Sequence, residues 1–360
     1  MNTVTDFQFD DKNNMVSFKV NNPKQKSKYE TALINGIRRS ILVDINSFAI
    51  NRNDVKFYKN TSVFNNDFLT MRLALLPLIH KELDKKDLDE LILELKIENT
   101  TEEIIDITPE DFKISYKEQN ISPNKLFAQT NMLICRLKQH QEMDIKCMIT
   151  KNTHKQGGAY FCPVSKAVYK FEEDYNELQK IITQEKKDGK LDTNDDVKKF
   201  EMLKKERYYK KTDDNKPLSY CFQIESTGEI HVKDIFTIGC DLFKDRCLTI
   251  IEKINNDPNE DKVSVEQSPT NLYAYDFTFY DENDTIGNLL QIYLFYDSDV
   301  EYAGYVIPHP LDNKLVVRMS LKKNKFTEND CKKKIESCLK IIVNQIDEIK
   351  KSYLEKAKQN

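Results

Sequence analysis

With 360 residues, 55 Lys/Arg against 59 Asp/Glu, a formal net charge of −4 and a sequence pI near 5.9, the chain has room for two or three domains that each bury a core. That balance excludes a polyelectrolyte that neutralises nucleic acid over its whole surface. No apolar run approaches the roughly 18 to 20 residues a bilayer span requires, and MNTVTDFQFDDKNN lacks a basic region followed by an apolar one, so a soluble, intracellular chain with no membrane partner is expected.

Motif chemistry is sparse. The cysteines form no CxxC pair, the histidines no HExxH, and the glycines no GxxxxGK[ST], GxGxxG or GxSxG. Zinc, redox and nucleotide-loop chemistry are therefore not signalled, and no cofactor is expected.

In chain order, FQFDDKNNMVSFKV predicts two short strands around an Asp/Asn turn. From about Ser27 to Val43, Leu33, Ile34, Ile37 and Ile41 recur at helical spacing, while Asn35, Arg38 and Arg39 line a neighbouring face. A strand, SFAIN, follows. In NDFLTMRLALLPL, Asp67 is placed to cap a short helix that Pro77 ends.

LILELKIEN, LICRLKQ and MDIKCMIT read as strands, and KQGGAYFCPV as a backbone turn at Gly157, Gly158 and Pro163. Residues 171 to 216 predict one or two charged surface helices, with a basic contact patch at KKERYYKK as the alternative to a purely solvated excursion. LSYCFQIEST predicts a strand and HVKDIFTIGCDLFKDRCLTIIEKI a long amphipathic helix. INNDPNEDK is polar and lacks apolar periodicity, as a linker does.

The same order then returns: strand (NLYAYDFTFY), helix (DTIGNLLQIYLFY), strands (AGYVIPHP, KLVVRMSL) and a closing helix with Ile335, Cys338, Leu339, Ile342, Val343, Ile346 and Ile349 on one stripe. Asp284 is expected at the N-cap of the shorter helix. Cys240 and Cys247, like Cys331 and Cys338, lie two helical turns apart and read as small core residues. Two similar units, each leaving an early and a long helix partly uncovered, can bury those faces on one another, and the linker makes the pairing intramolecular.

LINGIRRSILVDINSFAI, TSVFNNDFLTMRLALLPL, LICRLKQHQEMDIKCMITKNTHKQGGAYFCPV and CFQIESTGEI resemble the α-like subunits of multisubunit RNA polymerases. DTIGNLLQIYLFYDSDVEYAGYVIPHPLDNKLVVRM resembles their small partner. Together they imply a fused α-like heterodimer of α+β fold: two dimerisation modules paired as an intramolecular pseudo-dimer, the first with an inserted, mainly β domain. The implied layout is a first dimerisation domain at 1–52 and 166–255 with the charged excursion at 171–216, an inserted domain at 53–165, a linker at 256–264, and a second dimerisation domain at 265–360.

The resemblance also implies roles. Leu33, Ile37 and Ile41 would meet Ile286, Leu290 and Leu294 across the dimer axis, with Leu289, Ile342 and Ile346 in the same interface. Asn35, Arg38 and Arg39 would face the β-like second-largest subunit. The planar guanidinium fork suits bidentate bonds to carboxylates or carbonyls; intrachain ion pairing or snorkelling to water is the other reading of the pair. Tyr160 and Phe161 would add weaker contacts, and Glu225 would hold a neighbouring element by charged hydrogen bonds, with a surface carboxylate that has no partner as the other reading.

Some family members carry a cysteine cluster in the inserted domain; HKELDKKDLDELIL has none, so no metal is expected. The bacterial C-terminal DNA-binding domain is also expected to be absent.

The implied function is that of a non-catalytic assembly platform on which the second-largest and the β'-like largest subunits join, with small accessory subunits, and with DNA reached only through the complex. A stand-alone protein that mimics the heterodimer is the alternative. An enzyme reading would invoke the acidic cluster around NDVK, or Asp281/Glu282 and Asp284, as metal ligands; the latter sit at a turn and helix start, where capping accounts for them. Fused forms resemble those of large cytoplasmic DNA viruses, which implies the host cytoplasm or the virion, and the nucleus for a cellular protein.

Overall fold

Alternating apolar and polar residues on both sides of the Asp11–Asn14 turn give an antiparallel hairpin of β1 (Val4–Asp10) and β2 (Met15–Asn21). The computed structural model describes residues 3–191, 193–255, 263–269, 273–323 and 325–359. Helix α1 (Thr31–Val43) starts at Thr31 rather than Ser27. The preceding amides are bonded elsewhere: Asn22 Oδ1 accepts those of Lys28 and Tyr29 at 3.0 and 2.7 Å, and Asp214 takes that of Ser27.

The chain then builds a second core. β3 (Asn46–Ile50), β4 (Lys56–Asn60), α2 (Asn66–Ala74) and α3 (His80–Leu83) lead into β5 (Leu91–Glu98), β6 (Ile105–Ile107), β7 (Lys113–Tyr116), β8 (Gln119–Ile121), β9 (Cys135–Leu137), β10 (Glu142–Cys147), β11 (Ile149–Thr153) and the one-turn α4 (His154–Gly157). A five-stranded sheet of order β4-β10-β5-β7-β8 is flanked by the pairs β3/β11 and β6/β9. Phe48 and Ile50 bury in this core, not the first, so the inserted unit begins with β3 and not at residue 53. The cap of α2 also differs from expectation: Asn65 Oδ1, not Asp67, accepts the Phe68 amide at 2.9 Å, because the cap must precede the first helical residue.

β12 (Val164–Phe171) returns the chain to the first core. The excursion follows as α5 (Tyr175–Lys187) and α6 (Asn194–Lys204), and β13 (Ser219–Ser226) slots between β2 and β12 in a sheet of order β1-β2-β13-β12. Helix α7 (Val232–Asn255) buries Val232, Ile235, Phe236, Cys240, Phe243 and Cys247 along one stripe over that sheet.

The second module repeats this topology. β14 (Val263–Gln267), β15 (Tyr275–Tyr280), α8 (Asp284–Phe295), β16 (Val300–Val306), β17 (Lys314–Leu321) and α9 (Glu328–Ala357) form a sheet of order β14-β15-β17-β16, the strand-for-strand counterpart of β1-β2-β13-β12. β14 begins at Val263, so the last two residues assigned to the linker belong to a strand that alternates Val263 and Val265; residues 256–262 lie outside the described residues. Asn283, not Asp284, caps α8 by accepting the Thr285 amide at 3.1 Å.

The two modules share one hydrophobic core. α1 packs on α7 and α8, and α7 packs on α9. Gly36 lets α1 approach α7: a Cβ there would stand 2.3 Å from the Phe243 ring, and one on Gly239 would stand 2.3 Å from Ile41 Cγ1. At the far end of α9, Tyr353 enters the aromatic cluster of the first module, 4.9 Å from Phe18 and 4.7 Å from Phe236 between ring centroids, and donates its hydroxyl to the Lys233 carbonyl at 3.0 Å.

Charges frame the seam. Lys244 meets Asp347 at 2.8 Å and Lys350 meets Asp241 at 2.5 Å, a reciprocal pair between α7 and α9. Such half-exposed ion pairs contribute about 0–1 kcal/mol each, against about 1.5–3 kcal/mol for each fully buried Leu or Ile. The apolar stripes therefore hold the seam, and the charges fix its register.

Candidate assembly interface

At 100° per residue, Asn35, Arg38, Arg39 and Leu42 fall on the one side of α1 that neither long helix covers, while Leu33, Ile34, Gly36, Ile37 and Ile41 are buried. Arg38 Nε donates to Asn35 Oδ1 at 2.9 Å, which orients the guanidinium along the helix. Arg39 is exposed, and among the described residues neither arginine closes an ion pair. Arg38 also lies beside Tyr169 of β12: burial pushes that phenol up, and the Arg38 charge partly opposes the shift.

The internal repeat sharpens this picture. Counting from the first residue of each helix, Leu33, Ile37 and Ile41 of α1 match Ile286, Leu290 and Leu294 of α8, and Asn35 matches Asn288. Where α1 carries Arg38 and Arg39, α8 carries Gln291 and Ile292. The pseudo-two-fold pair is therefore cationic on one side only.

Leu33, Ile37, Ile286, Leu289, Leu290, Leu294, Ile342 and Ile346 are each fully buried and lie in the shared core. Ile41 is buried with them, but its Cγ1 seats over Gly239 of α7, within its own module.

Beside the ridge, Tyr160, Cys162, Ser165 and Glu225 line a groove of about 450 Å³ whose other wall is Leu75, Pro77 and Met132 of the inserted domain. Cys162 Sγ donates to the Val164 carbonyl at 3.2 Å and stands 3.5 Å from the Leu42 carbonyl, which places the groove against the ridge. Gly158 makes the turn at φ +93°, in the left-handed region that a side chain would strain. Glu225 is half-buried, and its carboxylate has no hydrogen-bond or ion-pair partner among the described residues. Phe161 corrects the expectation of a surface contact: it is only 4% exposed, its ring lies where a Cβ on Gly157 would stand, and so it supports the turn from inside.

Sequence reasoning missed a larger feature. Val63, Phe64, Phe68, Met71 and Leu75 leave 38–74% of their surface exposed, the last four at spacings of one helical face, and Leu75 continues that stripe into the groove. Arg72 is anchored by bonds to the Ile134 and Leu133 carbonyls, with its guanidinium over the Phe68 ring at the edge of the stripe. The spacing was readable in the sequence. What it could not tell is that the inserted domain covers Leu69, Thr70, Leu73 and Ala74 on the opposite side and leaves the stripe open.

A buried Ser47–Glu229–His80 cluster joins the two cores of the first half. Glu229 Oε2 accepts from Ser47 Oγ at 2.5 Å and stands 3.4 Å from His80 Nε2, which is 3.2 Å from Ser47 Oγ. In nucleophilic catalysis the imidazole sits between hydroxyl and carboxylate; here the carboxylate holds both other groups and the hydroxyl is inaccessible, which is the geometry of a structural clasp.

Arg246 of α7 does similar work between modules. Its Nη2 and Nε donate to Glu282 at 2.6 and 3.0 Å, and Nη2 donates to Asn283 Oδ1 at 3.2 Å, with Asp44 at 3.8 Å. Burial opposes its charge, yet the Glu282 and Asp44 carboxylates more than compensate and hold its pKa above the usual value. Glu282 is thereby committed to Arg246, and Asp284 lies beside Tyr305. No cluster of three or more His, Cys, Asp or Glu residues is placed to hold a metal ion among the described residues.

Two clasped modules of identical strand order, one with an inserted β domain, define a dimerisation scaffold. Residues 26–247 match the RNA polymerase Rpb3/Rpb11 dimerisation domain, and residues 274–352 match a second domain of the same description. The chain belongs to that family. It carries both modules in one polypeptide and is a fused RNA polymerase α-like subunit. Among its relatives, DNA-directed RNA polymerase II subunit rpb11 of Dictyostelium discoideum is 38% identical over 63 residues, 18% of this chain and 52% of that protein. The probable DNA-directed RNA polymerases I and III subunit RPAC2 of Caenorhabditis elegans is 40% identical over 62 residues, 17% of this chain and 41% of that protein. The chain thus spans about half the length of the curated relatives it matches.

Proposed function

We propose that this chain is the non-catalytic assembly platform of a multisubunit DNA-directed RNA polymerase, on which the β-like second-largest and β'-like largest subunits come together. The observation that carries the reading is the Asn35–Arg38–Arg39 ridge: cationic, without ion pairs among the described residues, and present on only one side of a pseudo-symmetric pair. A one-sided charge supports a directional platform, since it favours one large neighbour over another. The groove with Tyr160 and Glu225 and the apolar stripe of α2 extend the same face and suit a partner that touches both cores. Nucleotide addition, contact with DNA and small accessory subunits belong to the complex in this reading. The fusion itself supports a source among large DNA viruses and a place in the host cytoplasm or virion.

The test is affinity capture from cells that make the whole polymerase. Tagged wild-type chain recovers the two large subunits. Arg38→Glu with Arg39→Glu keeps the thermal unfolding of the wild type but loses recovery of the second-largest subunit at least ten-fold, because charge-assisted hydrogen bonds are worth about 1.5–3 kcal/mol each. Undiminished recovery, or failure of the wild type to bring down any large subunit, defeats the proposal.

A further inference from the structure

Helix α6 buries none of its own residues, whereas α5 beside it sinks Leu178 and Ile182. An 11-residue helix is marginal in water by itself, where fewer than about 12–15 residues rarely suffice. Two devices hold this one: the Thr193/Asp196 capping box, and a bond from Gln179 Nε2 of α5 to Glu201 Oε1 at 3.2 Å. Val197, Phe200, Glu201 and Lys204, all half-buried, share the side on which that bond forms.

The other side is Lys198, Lys199, Met202 and Leu203, two i, i+4 pairs. Met202 and Leu203 are 78% and 75% exposed. Lys198, Lys199 and the exposed Arg207 just beyond close no ion pair among the described residues. Between 197 and 211 the chain carries seven Lys/Arg and two Glu. Of the two acids in the first turn, Asp196 completes the capping box, and the exposed Asp195 leaves the patch with a net positive balance.

We infer that this outward face of α6 is a docking site for an acidic protein segment that bears aliphatic side chains. The cations select the sign of the partner's charge, and adjacent aliphatic groups reward a partner that can bury them. A nucleic acid would use the lysines and could stack on Arg207, but it would leave the two aliphatic side chains Met202 and Leu203 idle. An anionic bilayer needs a broad apolar face, and two side chains do not make one. The site lies outside the proposed large-subunit interface and does not depend on that reading.

The experiment places a photo-cross-linker, p-benzoyl-phenylalanine, at position 202 or 203 of the full chain in its native complex, with mass spectrometry of the cross-linked peptides. The expected result is a peptide of another protein in which Asp/Glu exceed Lys/Arg and which contains Leu, Ile, Val or Met. Lys198→Glu with Lys199→Glu should lower its yield at least ten-fold. Cross-links to nucleic acid, to lipid, to a second copy of this chain or to a neutral or basic peptide, no cross-link at all, or a yield indifferent to the charge reversal, would each overturn the inference. Capture of the large subunits, scored in parallel, reports separately on polymerase membership.

Discussion

Gly36 and Gly239 set how closely α1 and α7 approach, and each opposes a bulky group of the other helix, Phe243 and Ile41. Replacing a helical glycine by alanine ordinarily gains up to about 1 kcal/mol of helix propensity. At these two positions the new Cβ overlaps a buried side chain at 2.3 Å, and overpacking costs about 1–3 kcal/mol. Gly36→Ala and Gly239→Ala should therefore each lower the urea midpoint of unfolding, whereas Gly189→Ala, where the chain is open but φ is +68°, should cost only the backbone strain. An unchanged or raised midpoint for both helical variants would mean that the two helices have room for a Cβ between them. The residue that Gly36 makes room for lies some two hundred positions away, so no local pattern points to it.

At the scale of elements, the excursion is tied down by Glu172 at the end of β12. Its carboxylate accepts from Lys19 of β2 at 3.2 Å and from Lys210, on the segment that leads from the excursion back to β13, at 2.9 Å. Burial alone would raise the pKa of Glu172, but the Lys210 and Lys19 bonds outweigh it and hold the group below its ordinary 4.5. A carboxyl with a depressed folded pKa stabilises fully above the unfolded value and loses that contribution as pH falls through the lower folded value. Hydrogen exchange, corrected for intrinsic rates, should show protection near Lys210 dropping across that acidic window. In Glu172→Gln the drop should be absent and protection already reduced at pH 7. Equal protection in both proteins at pH 7 would assign the anchoring to Leu178 and Ile182 alone. The helices themselves were legible as charged, amphipathic stretches; what anchors them was not, because Lys19 and Glu172 are neighbours only after β2 and β12 flank β13.

The whole molecule depends on a core common to both modules, into which α9 sends Ile342, Ile346 and Tyr353 and to which α1 and α8 contribute their buried faces. A covalent connection keeps the partners at an effective concentration on the order of millimolar but adds no contact. A protease site introduced between Asn255 and Val263 should therefore, after cleavage, leave two fragments that co-elute by gel filtration in native buffer. Their thermal midpoint should fall on dilution, which the intact chain's does not. Fragments that separate without denaturant would mean that the seam is too weak to be a dimer interface.

Periodicity of apolar residues fixed the order of strands and helices twice over, and with it the repeat, because side-chain spacing is a local property of the backbone. Which face of each element would stay open was decided only by packing. Phe161 turned inward under Gly157, β3 joined the inserted core, the α2 stripe was left uncovered and Arg246 bridged the modules, all through contacts between residues far apart in the chain, for which no local pattern exists.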